Sequence, residues 1–160
     1  PVLMEAGEEL APEVMVWGYP GVGGKGRSII NARSETALER PMFRQSVLAR
    51  RCVIPTTGFY EWGPAGGQKR KYRFQLPGRD RALYLAGLWN DCGGRRRCVI
   101  LTTAANPSMA GIHDRMPLVL EREQLAEWVH SPQAAGELLR RTPPALEHVE
   151  EEPPRQLSLF

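Results

Sequence analysis

Apolar residues in this chain come in short runs broken by Gly, Pro and charged clusters, a spacing that predicts many strands joined by tight turns. Pro1-Val2-Leu3-Met4 reads as a strand already under way, and the turn region Gly7-Glu8-Glu9 precedes a strand at Val14-Met15-Val16-Trp17. A glycine-rich loop then runs to Gly26, and Ile29-Ile30-Asn31 restarts extended backbone. Five further strands are expected at 51–54, 57–62, 70–76, 82–89 and 97–102, and another at Leu118-Val119-Leu120. The connections Gly63-Pro64-Ala65-Gly66-Gly67, Pro77-Gly78-Arg79-Asp80 and Asp91-Cys92-Gly93-Gly94 leave no room for crossover helices, so the sheet should be mainly antiparallel.

Helical periodicity is confined to short segments. Ser34 is expected to cap a helix through its hydroxyl, with Glu35 and Thr36 in its first turn, until Pro41 interrupts. Residues 42–49 carry Phe43, Val47 and Leu48 as a weak core face, and a helical turn falls at 107–110. Residues 121–129 place Leu125, Trp128 and Val129 on one side of a helix, and 132–140 continue helically. The fold class is therefore α+β, with short helices flanking the sheet.

A length of 160 residues, 42% of them hydrophobic, supplies one core and suits a single domain over 1–149. The acidic, proline-rich stretch from Glu150 onward reads as a flexible tail over 150–160. No apolar run reaches the ~20 residues that span a bilayer. Three cysteines, Cys52, Cys92 and Cys98, lack metal-ligand spacing and fit a reducing cytoplasm, and no metal or cofactor motif is present.

Charge changes the picture. Residues 25–122 hold 18 of the 21 Lys and Arg but 7 of the 18 Asp and Glu, a net +11 inside a chain whose total is +3. Positive charge concentrated on a folded middle suits phosphate neutralisation, and equally a soluble basic surface.

Three polar clusters sit where strands end. Glu61, in Gly58-Phe59-Tyr60-Glu61-Trp62, is a carboxylate between aromatics, and lost hydration would fit it for proton transfer. Strand alternation could instead turn it to water. In Asn31-Ala32-Arg33 an amide and a guanidinium share one face and could hold an anion. His113-Asp114-Arg115-Met116-Pro117 offers an imidazole beside a second arginine.

Together these segments closely resemble the SOS-response-associated peptidases, the SRAP family of abasic-site processing proteins. The resemblance rests on Asn31-Ala32-Arg33-Ser34-Glu35-Thr36, on Arg51-Cys52-Val53-Ile54-Pro55 with the Glu61 segment, and on Thr102-Thr103-Ala104-Ala105-Asn106 leading to His113. It implies a barrel-like antiparallel sheet with a basic channel for single-stranded DNA. It also implies thiazolidine formation between an abasic-site aldehyde and an amino-terminal cysteine, since one residue must supply both α-amine and thiolate. By the same resemblance Asn31, Glu61 and His113 are catalytic, and Arg33, Thr102 and Arg115 bind DNA. Autocatalytic release of an amino-terminal segment is also implied.

The sequence departs from the family pattern in two places. The amino-terminal Cys-Gly-Arg block is absent, so the chain is expected to be a fragment without its nucleophile. The loop Gly21-Val22-Gly23-Gly24-Lys25-Gly26 lacks the tryptophans of relatives, and should stack less on bases.

At the far end, Gln156-Leu157-Ser158-Leu159-Phe160 resembles the pentapeptide that docks on the β sliding clamp, with Gln156, Leu157, Leu159 and Phe160 as anchors. The expected protein is a monomer, cytoplasmic and nucleoid-associated. A noncatalytic single-stranded DNA-binding module is the alternative, and a peptidase pairing Cys52 or Cys98 with His113 is a third.

Overall fold

A computed structural model describes residues 1–21, 26–65, 68–78 and 82–151. Strands β1 (Val2–Ala6) and β2 (Glu9–Glu13) form a hairpin whose turn glycine, Gly7, adopts φ +68°. The short β3 (Val16–Trp17) and β4 (Asn31–Arg33) follow, then helix α1 (Pro41–Ala49). Next come β5 (Arg51–Thr56), β6 (Phe59–Ala65), β7 (Gln68–Gln75), β8 (Leu83–Asp91) and β9 (Arg96–Ala104). Strands β10 (Arg115–Pro117) and β11 (Val119–Leu120), helices α2 (Leu125–His130) and α3 (Pro132–Leu138), and β12 (Glu147–Glu150) complete the order.

The mostly antiparallel main sheet forms a half-barrel, running β10-β9-β8-β5-β1-β2, and a smaller sheet runs β12-β7-β6. Strands β8 and β9 part after the pair Gly87↔Ile100. Into the fork goes the β10–β11 segment, which pairs with β9 from Thr102 to Ala104 and with β8 at Tyr84 and Leu85. Strand β4 lies parallel along the other edge of β9. That fork is what later brings three motifs to one place.

The near-continuous apolar run of β8 reflects burial on both faces. Ala86 and Leu88 join Val53, Val99, Leu101 and Trp128 in the core under the helices, whereas Leu83 and Leu85 join Phe74, Met109 and Met116 in a second core. Space at Gly87 is tight: a Cβ there would meet Ile54 Cδ1 at 2.3 Å, Cys52 Sγ at 3.0 Å and Val99 O at 3.2 Å, so these neighbours would have to shift.

Four expectations change. Ser34 does not cap a helix; Arg33 is the cap residue of a single 3-10 turn, Ser34–Thr36, and Ser34 is buried with its Oγ lacking a hydrogen-bond partner. Pro41 opens α1 rather than interrupting a helix, because its missing N–H is one that a first turn leaves unbonded anyway. Leu48 is exposed while Phe43 and Val47 are buried. Strand β2 was not among the expected strands; it lies at the edge of the sheet, where a proline such as Pro12 is tolerated.

Strand β12 was not expected either. Glu150, assigned by composition to the tail, is its last residue, and all four residues are exposed. It pairs with the basic β7, where Arg70 meets Glu150 and Lys71 meets Glu151 at 3.3 Å. His148 packs its ring on Phe74 at 5.4 Å.

Candidate functional site

Arg33, Thr102 and Pro117 lie abreast, because β4 meets β9 at Arg33↔Thr102 and β10 meets it at Pro117↔Thr102. Alternation along β4 buries Ala32 and leaves Asn31 and Arg33 exposed on one face, as the sequence pattern requires. The hairpin β6–β7 forms the facing wall, with Phe59 stacked on Phe74 at 5.3 Å. Between them runs a cleft of about 410 Å³ lined by Asn31, Arg33, Glu61, Thr102, His113 and Arg115. Those are the six residues that the sequence reading names as catalytic or DNA-binding. Strand ends from four elements bring them together.

Two contacts hold the walls in place. Gly63 shares Glu61's face of β6, and a Cβ there would meet Ile112 Cγ2 at 2.7 Å and Ile112 O at 3.1 Å. Only glycine allows β6 to approach the loop that carries His113 so closely. The loop itself is tied down by buried Asn106, whose Nδ2 donates to the carbonyls of Pro143 and Pro144 at 3.0 Å each.

Glu61 sits in a different setting from the one its neighbours suggest. Tyr60 and Trp62 point to the opposite face of β6, 43% and 52% exposed, so they build no dry cage around the carboxylate. Phe59 alone of the three shares its face, and Glu61 is half-buried. Lys71 instead covers the outward Tyr60, its Nζ 3.8 Å from the ring centroid.

His113 is held through Nδ1. That nitrogen lies 3.0 Å from the Arg115 backbone N–H, 3.1 Å from the Arg115 carbonyl and 3.3 Å from Asp114 Oδ1, one donor and two acceptors that can serve either tautomer. These contacts fix where the ring sits.

The two arginines differ in setting. Arg33 is exposed and makes no side-chain hydrogen bond among the described residues. Arg115 donates to both Glu35 carboxylate oxygens at 2.6 and 2.9 Å and to the Thr102 carbonyl at 2.6 Å. This bidentate partner holds the Glu35 carboxyl below the usual carboxylate range, so the pair is fully ionised at neutral pH.

Sequence reasoning missed Glu35 and Trp17. Trp17 lines the cleft at 54% exposure, fixed by its Nε1–H to the Ile30 carbonyl at 2.9 Å. An exposed tryptophan next to a glycine at a strand end was the available signal. The glycine-rich loop lies outside the described residues over 22–25.

Cys52 and Cys98 are core residues. Burial pushes the Cys52 thiol well up and the Cys98 thiol up as well, so neither supplies a thiolate. Among the described residues no three His, Cys, Asp or Glu side chains gather as a metal site requires.

Two further cavities of comparable or larger size lie among the described residues. One of about 390 Å³ shares Trp17, Phe59 and Ile100 with the cleft and continues it over Met15, Ile54 and Cys98 to Pro1. Another, about 680 Å³, lies between Leu76, Tyr84, Arg122 and Pro144. It is larger than the cleft but holds no imidazole, and its charges Glu121, Arg122 and Glu123 belong to an exposed turn. Convergent chemistry, rather than size, selects the smaller space.

A half-barrel whose forked strands bring an acid, an imidazole, an amide and two guanidiniums into one cleft defines an α+β class of protein. The chain belongs to the SOS response associated peptidase (SRAP) family, whose model matches residues 1–152. It is 35% identical over 121 residues to the Bacillus subtilis "Abasic site processing protein YoaM", covering 72% of this chain and 53% of that protein. It is 40% identical over 111 residues to Bacillus subtilis YoqW, covering 66% and 49%. With Escherichia coli YedK the identity is 32% over 133 residues, covering 80% and 59%. The chain thus spans about half the length of these relatives.

A crystal structure of a Bacteroides thetaiotaomicron protein superposes with a TM-score of 0.76 at 25% identity, covering 95% of this chain and 73% of that one. A phage-related protein from Bordetella bronchiseptica gives 0.75 at 25% identity, covering 96% and 78%.

Proposed function

We propose that this chain forms the DNA-holding and acid–base part of a protein that captures abasic sites in single-stranded DNA. The observation that carries the reading is the convergence of Asn31, Glu61 and His113 with exposed Arg33 in one cleft. Relatives named as abasic site processing proteins support it.

An abasic site opens to an aldehyde. An α-amine adds to it and water leaves to give an imine; the thiol of the same cysteine then adds across C=N and closes a thiazolidine. Glu61 would take the amine proton and return it to the departing hydroxyl, and His113 would assist ring opening. Asn31 would hold the sugar, and Arg33, Thr102 and Arg115 the flanking backbone. None of Cys52, Cys92 and Cys98 has a free α-amine, so the reading needs a cysteine presented to the cleft from outside these 160 residues. The same groups could cleave an amino-terminal segment that precedes such a cysteine.

That missing amine favours the second reading, a noncatalytic single-stranded DNA-binding module, for the 160-residue chain taken alone. Incubated with an abasic oligonucleotide, it should give no adduct on a denaturing gel and still retard the oligonucleotide on a native one. Arg33→Gln should weaken binding to any sequence and lower the slope of log K against log salt by about one. Parent-like affinity and slope in that variant would sink the assignment of this cleft to DNA.

The pentapeptide Gln156-Leu157-Ser158-Leu159-Phe160 lies outside the described residues. Its two leucines and phenylalanine suit a hydrophobic groove on the β sliding clamp, with Gln156 bonding at the edge. Deleting 156–160 should abolish retention on immobilised clamp, and undiminished retention would discard this partner. Among the described residues no helix is long and apolar enough to cross a membrane. A monomer working on chromosomal DNA in the cytoplasm fits this reading.

A further inference from the structure

We propose that Glu35 is a positioning residue which, through Arg115, sets the distance between the two polar motifs and fixes where the His113 ring sits. The role rests on the reading of the cleft as the reactive site. Glu35 sits in the 3-10 turn that leaves β4 just after Asn31 and Arg33, on one edge of β9. His113 and Arg115 approach β9 from the forked side, where β10 is only three residues long. Among the described residues the Glu35–Arg115 pair is the side-chain ion pair that joins these two segments across β9.

Its geometry suits a strut. Both carboxylate oxygens are engaged, at 2.6 and 2.9 Å, and Arg115 Nη2 also donates to the Thr102 carbonyl at 2.6 Å. A bidentate fork fixes orientation as well as distance, which a single contact does not. The Arg115 side chain is 22% exposed against 45% for Glu35, so the arginine is the element held and the carboxylate the clamp applied from outside. The strut reaches His113 through the chain: the backbone N–H and the carbonyl of the clamped Arg115 lie 3.0 and 3.1 Å from His113 Nδ1. Without the clamp, Arg115 keeps its strand pairing and its contacts with Thr102 but loses its tie to the segment that carries Asn31 and Arg33.

The ring state can be read without DNA. Long-range ¹H–¹⁵N correlation on histidine-labelled 160-residue chain should show His113 as a single set of ring signals. Glu35→Gln and Glu35→Ala should each lose that single pattern and exchange the Arg115 amide at least about tenfold faster. Arg115→Lys, which keeps the charge but not the fork, should do the same, and Glu35→Asp should restore part of the pattern. Glu13→Gln breaks a comparable surface pair with Arg96 and should leave His113 unchanged. Parent-like His113 signals and Arg115 exchange in both the Gln and Ala variants overturn the proposal. A strut that holds while abasic DNA goes uncaptured by a cysteine-bearing protein would instead overturn the functional reading alone.

Discussion

Glu61→Gln is expected to slow abasic-site capture by about 10²–10⁴-fold, the usual contribution of a positioned general acid or base. At about 1.36 kcal/mol per decade, that is roughly 3–5 kcal/mol of transition-state stabilisation. The measurement follows adduct formation with an abasic oligonucleotide in a protein that presents a cysteine α-amine to the cleft. Glutamine keeps the shape of the side chain and its capacity to hydrogen-bond, but cannot carry the proton. Since the carboxylate makes no hydrogen bond to another described residue, the fold should not notice the change. Unchanged melting with lost rate would therefore place the effect in chemistry. A rate within about threefold of the parent would remove Glu61 from the proton path.

Arg51→Met should cost on the order of 3–5 kcal/mol of stability, because it removes a cation whose partners stay buried. Arg51 is 5% exposed, and its guanidinium donates to the carbonyls of Trp128 at 2.5 Å, Val129 at 2.6 Å and Val47 at 2.8 Å. Those acceptors lie in the last turns of α2 and α1, where carbonyls lack helical partners and the helix dipole favours positive charge. Trp128 returns the contact through its indole N–H to the Cys52 carbonyl at 2.9 Å, locking α2 onto β5. For a chain of this size each kcal/mol shifts the melting midpoint by about 2–4 °C, so a fall on the order of 10 °C is expected. Arg51→Lys keeps the charge but not the fork and should fall in between. Parent-like melting of the methionine variant in a thermal scan would show that the helix ends do not depend on this residue.

Arg51 also shows where the sequence stops being legible. In the linear pattern it is one more cation beside Arg50 at the head of a strand, counted toward a net +11 available for DNA. Packing of α2 over β5 takes it out of the surface and turns its charge inward. Arg115 and Arg70 are likewise partly cancelled, by Glu35 and Glu150. Pairing partners 80 residues apart leave no local signature, so a count along the chain overstates the free positive field.

Elements read well where local chemistry was strong. The five central strands and the Leu125, Trp128, Val129 face were placed by periodicity, because burial of alternate or helically spaced side chains is written into the pattern. Strand β12 was not, since an exposed acidic strand is stabilised by its basic neighbour β7 and carries no apolar period of its own.

By itself, the sequence determined the central strands and the α2 face, the mainly antiparallel pairing favoured by short turns, and which residue types could do chemistry: an acid, an amide, an imidazole and two guanidiniums at strand ends. These follow from propensities and spacings that act over a few residues. Only the tertiary structure decided that the three motifs face one cleft, because that depends on β8 and β9 parting to admit β10. It also decided that aromatics beside Glu61 turn away, that Gly63 lets β6 approach Ile112, and that Glu35 clamps Arg115. Each of these is a contact between segments distant in sequence, fixed by sheet register and side-chain packing rather than by any local preference.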